Sequence, residues 1–176
     1  AERDPQRGPR APRRPASRVT DEVTGDGPVV TAIHVALARR LPMRAVVMVH
    51  AEAGTGIVGD RYHGTRHRHV SVQSATDLDE AAARLGAPVP AHGTRRNVTL
   101  SHGPVPTQPG TRVRVGGALL EVVRRAAPCR ILDDEIGQGA ARALHDRAGT
   151  IFRVLETGDI AVGDTFVELP SAPGPS

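Results

Sequence analysis

The chain has 176 residues, enough for one domain of ordinary size, and its aromatic content of 2% leaves the core to Val, Leu, Ile and Ala. Its net charge is +4. That charge lies in residues 1–20, where six arginines face Glu2 and Asp4, so the remaining chain sums to zero. A nucleic-acid-binding domain would carry its basic patch on the folded part, and this class is therefore disfavoured.

All 23 basic residues are arginine, because the sequence contains no lysine. A Schiff base with pyridoxal phosphate or a carbonyl substrate needs a lysine amine, so covalent pyridoxal phosphate chemistry is excluded. Arginine instead offers a rigid fork of donors that suits carboxylate and phosphate groups.

No apolar stretch is long enough for a transmembrane helix, and the Pro/Arg-rich start lacks the apolar centre of a signal peptide. The single cysteine has no internal disulfide partner and fits a reducing compartment. We therefore predict a cytoplasmic protein that engages neither a membrane nor nucleic acid.

Composition divides the chain into three parts. Residues 1–27 are rich in Pro, Arg and Gly and predict a disordered tail, and residues 170–176 predict a flexible C-terminus. The strand signals and motifs all fall between them. We expect residues 28–169 to form one domain that folds without the tail.

Eight short apolar or β-branched segments predict strands: Val29–Leu37, Arg44–His50, Arg68–Gln73, Arg96–Leu100, Thr111–Val115, Leu119–Arg124, Ile151–Leu155 and Thr165–Leu169. Two helices are predicted, Thr76–Leu85 and Gly139–Arg147, the first with Ser74 or Thr76 as its N-cap and Gly86 as its terminator. Many short strands with few helices predict a mainly β fold, an irregular β-barrel with two short flanking helices.

The segment Gly56–Gly64 places an acid, a cation and an imidazole close together, as Asp60, Arg61 and His63. Its glycines allow a tight turn with close backbone approach to a ligand. The alternative is a surface turn in which Asp60 accepts hydrogen bonds from its own backbone.

A metal site is a further alternative for this region. His63, His67 and His69, together with Asp60, have spacings that suit zinc or another divalent cation. His-rich loops usually remain solvated, so this interpretation ranks below the others.

The segment Gly93–Leu100 brings Arg95, Arg96 and Asn97 to the start of a predicted strand. Two arginines and an amide suit a pyrophosphate or a carboxylate. If strand pairing extends through them, Arg95 and Asn97 share one face and Arg96 points the other way. The alternative is that one arginine is a solvated strand-edge residue.

Cys129 follows Pro128, and Arg124, Arg125 and Arg130 lie close to it in sequence. Nearby guanidinium groups favour the thiolate, which attacks electrophiles and binds soft metals. Free cysteine is also among the most buried residue types, so Cys129 is either a chemical group or inert core filler.

The order and spacing of these motifs resemble the MOSC family, named for the C-terminal domain of molybdenum cofactor sulfurase, in its standalone bacterial type. The resemblance covers roughly residues 29–169 and rests, in chain order, on Gly59–Gly64, Arg68–Val72, Arg95–Asn97, Val115–Ala118, Pro128–Cys129, Arg147–Gly149 and Val162–Asp164.

The resemblance implies a β-rich barrel related to the pyruvate kinase barrel domain, and molybdenum cofactor as a ligand. It implies catalytic roles for Cys129, Asp60 and His63, with Cys129 as a molybdenum ligand or sulfur carrier. Cofactor contacts are expected from the family's Gly-Asp-Arg turn and from the strand-start segment, that is from Gly59, Arg61, Arg95, Arg96 and Asn97.

Three functions remain open. The first is a molybdenum-cofactor protein that transfers sulfur or reduces N-hydroxylated compounds, hence a sulfurtransferase-like enzyme or a molybdenum-dependent oxidoreductase. The second is a cofactor-free thiol enzyme for sulfur transfer or carbon–sulfur cleavage. The third is a non-catalytic binding module. The expected partners are a small-molecule or pterin ligand and a sulfur-donor or redox protein.

Overall fold

The computed structural model describes residues 26–170. These residues form eleven strands, which are β1 (Val30–Val35), β2 (Arg44–Val46), β3 (Met48–Glu52), β4 (Gly56–Ile57), β5 (Val70–Ser74), β6 (Val98–Leu100), β7 (Arg112–Val115), β8 (Ala118–Arg125), β9 (Thr150–Glu156), β10 (Gly158–Ala161) and β11 (Phe166–Glu168). They also form three short helices, which are α1 (Ala75–Leu85), α2 (Ile131–Glu135) and α3 (Ala140–Ala143).

The strands make two sheets in this part of the chain. Eight strands lie in the order β11-β7-β8-β9-β5-β6-β1-β2, and three lie in the order β10-β3-β4. Neighbouring strands run antiparallel except β5 and β6, which run parallel with Val72 opposite Val98. Parallel strands need a crossover connection, and α1 supplies it.

Helix α1 has strong end signals. The side chain of Ser74 accepts a hydrogen bond from the backbone N–H of Asp77, and the helix ends at Gly86, whose φ is 73°. Because β5 and β6 run parallel, the residues that precede them, Arg68 and Arg96, come to the same edge of the sheet. This edge forms part of the candidate site.

The main core consists of buried aliphatic side chains from both sheets, as the low aromatic content predicts. Phe152 is fully buried and meets Phe166 edge to face, with 6.2 Å between ring centroids. A second core lies beneath the three helices and includes Leu78, Leu132 and Leu144. The second core holds α2 and α3 against α1.

The prediction of a mainly β fold is confirmed, but the sheet does not close into a barrel. Its strand order ends at β2 and β11, each of three residues. One isolated antiparallel bridge joins Val29 to Thr165, and Phe166 N–H donates to the carbonyl oxygen of Pro28 at 2.8 Å. These contacts draw β11 toward β1 without completing a ladder.

Several elements differ from the sequence prediction. The predicted strand Arg44–His50 is divided into β2 and β3, and the predicted helix Gly139–Arg147 is the shorter α3. Helix α2 and strands β4 and β10 were not predicted. They have two to five residues, too few to show a clear hydrophobic period.

The predicted tail, residues 1–27, lies outside the described residues except for Asp26 and Gly27, which are exposed and have no regular structure. Of the predicted C-terminal segment, residues 170–176, the structure describes only Pro170. Within residues 26–170, none of the helices has the length and apolar character required to cross a membrane.

Candidate anion-binding and thiol site

Arginine side chains from four parts of the chain line one cavity of about 290 Å³. They are Arg39, Arg40, Arg61, Arg68, Arg95 and Arg96. The only tyrosine of the chain, Tyr62, and its only cysteine, Cys129, line the same cavity. The fold therefore brings together the Gly-Asp-Arg turn, the Arg-Arg-Asn segment and the cysteine segment.

Carboxylates balance only part of this positive charge. Arg61 pairs with Asp60 at 3.3 Å, and Arg95 pairs with Glu135 at 3.1 Å. The other four arginines have no carboxylate partner within 4.0 Å among the described residues, and these are Arg39, Arg40, Arg68 and Arg96. Guanidinium groups that share a cavity repel one another, so the surplus charge favours an anionic ligand.

Asp60 is buried, and its carboxylate accepts three hydrogen bonds from other groups of the protein. Its Oδ1 accepts hydrogen bonds from the backbone N–H of Ala36 at 3.1 Å and from Arg61 Nη1 at 3.3 Å. Its Oδ2 accepts from the backbone N–H of Tyr62 at 3.2 Å. The carboxylate thus fixes the turn to the end of β1 and orients the Arg61 guanidinium.

Arg61 connects two motifs that lie far apart in the sequence. Its Nη2 donates to the backbone carbonyl oxygen of Arg95 at 2.7 Å, and its Nη1 lies 3.2 Å from Met43 Sδ. The guanidinium carbon also lies 4.7 Å from the centroid of the Tyr62 ring. These contacts hold the side chain in one position in the cavity wall.

The donors of Arg95 are directed mainly at the protein. Its φ is 60°, a conformation that non-glycine residues seldom adopt. Its guanidinium donates to Glu135 Oε1, to the carbonyl oxygen of Arg39 at 2.9 Å and to that of Leu41 at 2.8 Å. Arg95 therefore fastens the loop after β1, and the helix α2, around the cavity.

Arg96 is buried and Arg68 is partly buried, and neither has a carboxylate partner among the described residues. Arg96 donates from Nε to the carbonyl oxygen of Ala148 at 2.6 Å and from Nη2 to that of Ala127 at 3.2 Å. Burial lowers the pKa of Arg96 to about 10, and the charge of Arg68 adds to this effect while Cys129 opposes it. Burial also lowers the pKa of Arg68, whose buried Nε has no hydrogen-bond partner among the described residues.

Cys129 is exposed and lies on the wall of this cavity, just before α2. Its carbonyl oxygen accepts a hydrogen bond from the backbone N–H of Leu132 at 3.0 Å, which is the first contact of the helical turn. The interpretation of Cys129 as buried core filler is therefore wrong. A ligand or a partner thiol can reach the sulfur from solvent.

A family model described as the MOSC domain matches residues 59–167, more than half of the chain. The chain belongs to the MOSC domain family. The resemblance drawn from the order of motifs is confirmed. MOSC domains are generally linked to molybdenum cofactor binding and to sulfurase-related function, and the matched range contains Asp60, Arg61, Arg95, Arg96 and Cys129.

Solved structures show the same MOSC-like fold. The YuaD protein from Bacillus subtilis is 19% identical with a TM-score of 0.69, and the match covers 79% of this chain and 93% of that one. YiiM from Geobacillus stearothermophilus is 20% identical with a TM-score of 0.66, covering 84% and 77%. YiiM from Escherichia coli is 16% identical with a TM-score of 0.58, covering 82% and 71%. A comparison with curated proteins gave no match.

Four of the residues predicted for the MOSC site are not in the cavity wall, and these are Asp60, whose contacts are given above, His63, Asn97 and Gly59. His63 Nε2 forms a hydrogen bond with Glu52 Oε2 at 2.9 Å. Asn97 is buried, where its Oδ1 accepts from Ser71 and its Nδ2 donates to the carbonyl oxygen of His34 at 3.1 Å. Gly59, with a φ of 80°, supplies a turn conformation that favours glycine.

The histidines of this MOSC domain do not form the alternative metal site. Among residues 26–170 there is no group of three His, Cys, Asp or Glu side chains arranged to hold a metal ion. Both ring nitrogens of His69 are engaged, Nε2 with the carbonyl oxygen of Thr65 at 2.8 Å and Nδ1 with the backbone N–H of Val154 at 2.9 Å. The geometry therefore gives no support to zinc binding by His63, His67 and His69.

Three arginines and the tyrosine of the cavity wall were not among the predicted site residues: Arg39, Arg40, Arg68 and Tyr62. Arg68 and Tyr62 belong to the quoted motifs, but no signal within those motifs distinguished them from their neighbours. Arg39 and Arg40 lie in the loop between β1 and β2. Hydrogen bonds from Arg95 to the carbonyl oxygens of Arg39 and Leu41 hold the backbone of that loop at the site.

Proposed function

We propose that this MOSC domain binds the molybdenum cofactor in the arginine-lined cavity and uses Cys129 as a sulfur ligand of the metal. The observation that supports it most is that Arg68 and Arg96, which have no carboxylate partner in the described residues, face the same cavity as the exposed thiol. Guanidinium groups suit a phosphate, and a thiolate suits a soft metal.

The residues present fit this group chemically. The cofactor carries a phosphate and a dithiolene, and Arg68 Nε is a buried donor that still lacks an acceptor. A cavity of about 290 Å³ is just below the range of roughly 300–1,000 Å³ found for ligand pockets. It would therefore enclose part of the cofactor and leave the remainder near the open mouth.

Each side chain would have a distinct task. Arg68 and Arg96 would hold the anionic end, and Cys129 would place its sulfur where the ligand enters. Arg61 and Arg95 would keep these groups in position through the contacts described above. When bound, the cofactor would supply the redox-active metal for the reduction of N-hydroxylated compounds, or would itself receive sulfur.

Elemental analysis of protein produced in a molybdenum-replete host tests the proposal. The unmodified protein should carry molybdenum and a releasable pterin, whereas R68Q/R96Q should lose both, because each lost charged hydrogen bond costs about 1.5–3 kcal/mol. The matched control is R112Q/R114Q, since these arginines pair with Glu121 and Glu156 on strand surfaces away from the cavity. Unmodified protein without molybdenum would refute the proposal.

The exposure of Cys129 supports a second candidate, a sulfur carrier that needs no cofactor. The Cys129 thiolate would attack the outer sulfur of a donor persulfide, forming a Cys129 persulfide and releasing the donor thiolate. A donor protein in a reducing compartment such as the cytoplasm would be the partner. Sulfane sulfur on molybdenum-free protein after treatment with glutathione persulfide, absent in C129S, would favour this candidate.

A further inference from the structure

Tyr62 is surrounded by guanidinium groups. The guanidinium carbon of Arg68 lies 4.0 Å from the centroid of its ring, that of Arg61 lies 4.7 Å away and that of Arg39 lies 5.9 Å away. All four residues line the cavity with Cys129. Three cations within about 6 Å of one aromatic ring fulfil the distance criterion for cation–π attraction.

An aromatic ring holds a guanidinium group differently from a carboxylate. A carboxylate accepts hydrogen bonds and so occupies the N–H donors that a ligand would need. A ring attracts the cation through the negative charge of its face and leaves the N–H edge free. Arg68 shows this condition, since it lies nearest the ring and its buried Nε has no partner among the described residues.

The backbone of Tyr62 is itself held in place. Its N–H donates to Asp60 Oδ2 at 3.2 Å. Its carbonyl oxygen accepts from the N–H of Thr65 at 3.1 Å and from the Thr65 hydroxyl at 2.8 Å. The ring therefore stands on a turn whose backbone is fixed by hydrogen bonds within the protein.

We infer that Tyr62 is the positioning residue of the anion site, and that its ring holds Arg39 and Arg68 beside the fixed Arg61 so that the cavity selects ligands ending in a phosphate or pyrophosphate group. Several guanidinium groups without carboxylate partners suit a multiply charged anion with several oxygen atoms better than they suit a single carboxylate. The inference rests on the proposed anion-binding role of the cavity, and it requires no molybdenum.

The chain offers a direct signal for this test, because Tyr62 is its only tyrosine and it has no tryptophan. Titration of the unmodified protein with inorganic pyrophosphate should change the tyrosine fluorescence in a saturable way. Sodium chloride at the same ionic strength should not. This measurement needs no substitution and so does not depend on how a variant folds.

Calorimetric titration with pyrophosphate then separates the ring from the rest of the side chain. Y62F keeps the ring and should bind within about twofold of the unmodified protein, whereas Y62L should bind roughly tenfold more weakly. The preference for pyrophosphate over acetate should fall in Y62L and persist in Y62F. Thermal unfolding of both variants checks that the fold is retained.

Two results would overturn the inference in distinguishable ways. If the unmodified protein bound no pyrophosphate, the anion-binding function would fail together with the role of Tyr62. If the unmodified protein bound pyrophosphate and Y62L bound it equally well, or Y62F lost affinity as Y62L did, only the role of the ring would fail. The molybdenum analysis is a separate measurement and is unaffected by either result.

Discussion

The guanidinium of Arg61 donates a 2.7 Å hydrogen bond from Nη2 to the backbone carbonyl oxygen of Arg95, which lies 34 positions later in the chain. Arg61 also pairs with the buried carboxylate of Asp60, and Arg95 pairs with Glu135, the last residue of α2. One side chain thus connects the turn beneath the cavity with the segment that holds its far wall. The charge of Arg61 is at the same time a structural requirement and part of the cavity lining.

We expect R61Q to lower the free energy of unfolding by about 3–5 kcal/mol, because it leaves the buried Asp60 carboxylate without its cation. Urea denaturation with linear extrapolation measures the change. R114Q is the control, since its pair with Glu156 is largely exposed and should contribute at most about 1 kcal/mol. Similar losses for the two variants would contradict the structural role assigned to Arg61.

Cys129 should react with iodoacetamide in the folded protein, because its side chain is exposed. Mass spectrometry should show one adduct without denaturant. Saturating pyrophosphate should slow the modification, since the thiol and the surplus arginines line the same cavity. An unchanged rate would show that the anion binds elsewhere.

C129S should keep the stability of the unmodified protein, because the side chain is not part of the core.

Gly149 should tolerate no side chain. Its φ is 84°, and a Cβ there would lie 2.2 Å from the carbonyl oxygen of Val72. We expect G149A to cost about 3 kcal/mol or more of unfolding free energy, from an unfavourable backbone conformation combined with overpacking. G110A is the matched control, with a φ of 88° and no atom near the added carbon, and should cost only about 1 kcal/mol.

The position of Gly149 also allows a functional measurement. It follows Ala148, whose carbonyl oxygen accepts the hydrogen bond from Arg96 Nε. A backbone shift in G149A should therefore weaken pyrophosphate binding, whereas G110A should not change it. Equal stability of G149A and G110A would show that the backbone beside Val72 can move aside.

Acidification should destabilise the fold through His34. Burial lowers the pKa of His34, and the neighbouring His92 lowers it further. Below the ordinary histidine pKa of about 6.5 the unfolded chain therefore binds more protons than the folded chain, so the free energy of unfolding falls as the pH falls. Urea denaturation should give a lower stability at pH 5 than at pH 7.

The contribution of His34 can be isolated by comparing slopes. H34Q should reduce the loss of stability between pH 7 and pH 5, although part should remain because burial also lowers the pKa of His69. H102Q is the control, since His102 is exposed and should leave the slope unchanged. A slope that does not change in H34Q would exclude this explanation.

The sequence contained more about the site than its motifs suggested. A predicted strand beginning at Arg68, a helix with clear caps, and a predicted strand beginning at Arg96 make a strand–helix–strand unit, which usually pairs its strands in parallel. The two arginines would then meet at one edge, as the structure shows. Strand alternation instead predicted that Arg95 and Asn97 share one face and that Arg96 points the other way. That prediction is wrong, since Arg95 and Arg96 both line the cavity and Asn97 does not. The reason is that β6 begins only at Val98 and that Arg95 has a positive φ.

Other parts of the site had no local signal. Arg39 and Arg40 reach the cavity through hydrogen bonds from Arg95 to the loop that carries them, and such contacts depend on residues more than 50 positions away. Asn97 was predicted to contact the cofactor, yet its amide joins three neighbouring strands through Ser71 and His34. Residues that line the cavity and residues that join strands are both polar, so the sequence does not separate them and the folded structure does.

The separation of the cavity-lining arginines along the chain has a consequence for finding the ligand. Segments around Arg39, Arg61, Arg68 and Arg96 are far apart in sequence and meet only in the folded chain, where the parallel pair β5–β6 brings Arg68 and Arg96 together. A compound that binds only the folded state raises its stability by an amount set by concentration and affinity, about 2.7 kcal/mol at one hundred times the dissociation constant. Phosphorylated metabolites can thus be ranked by the rise in melting temperature that each produces, before any reaction is known.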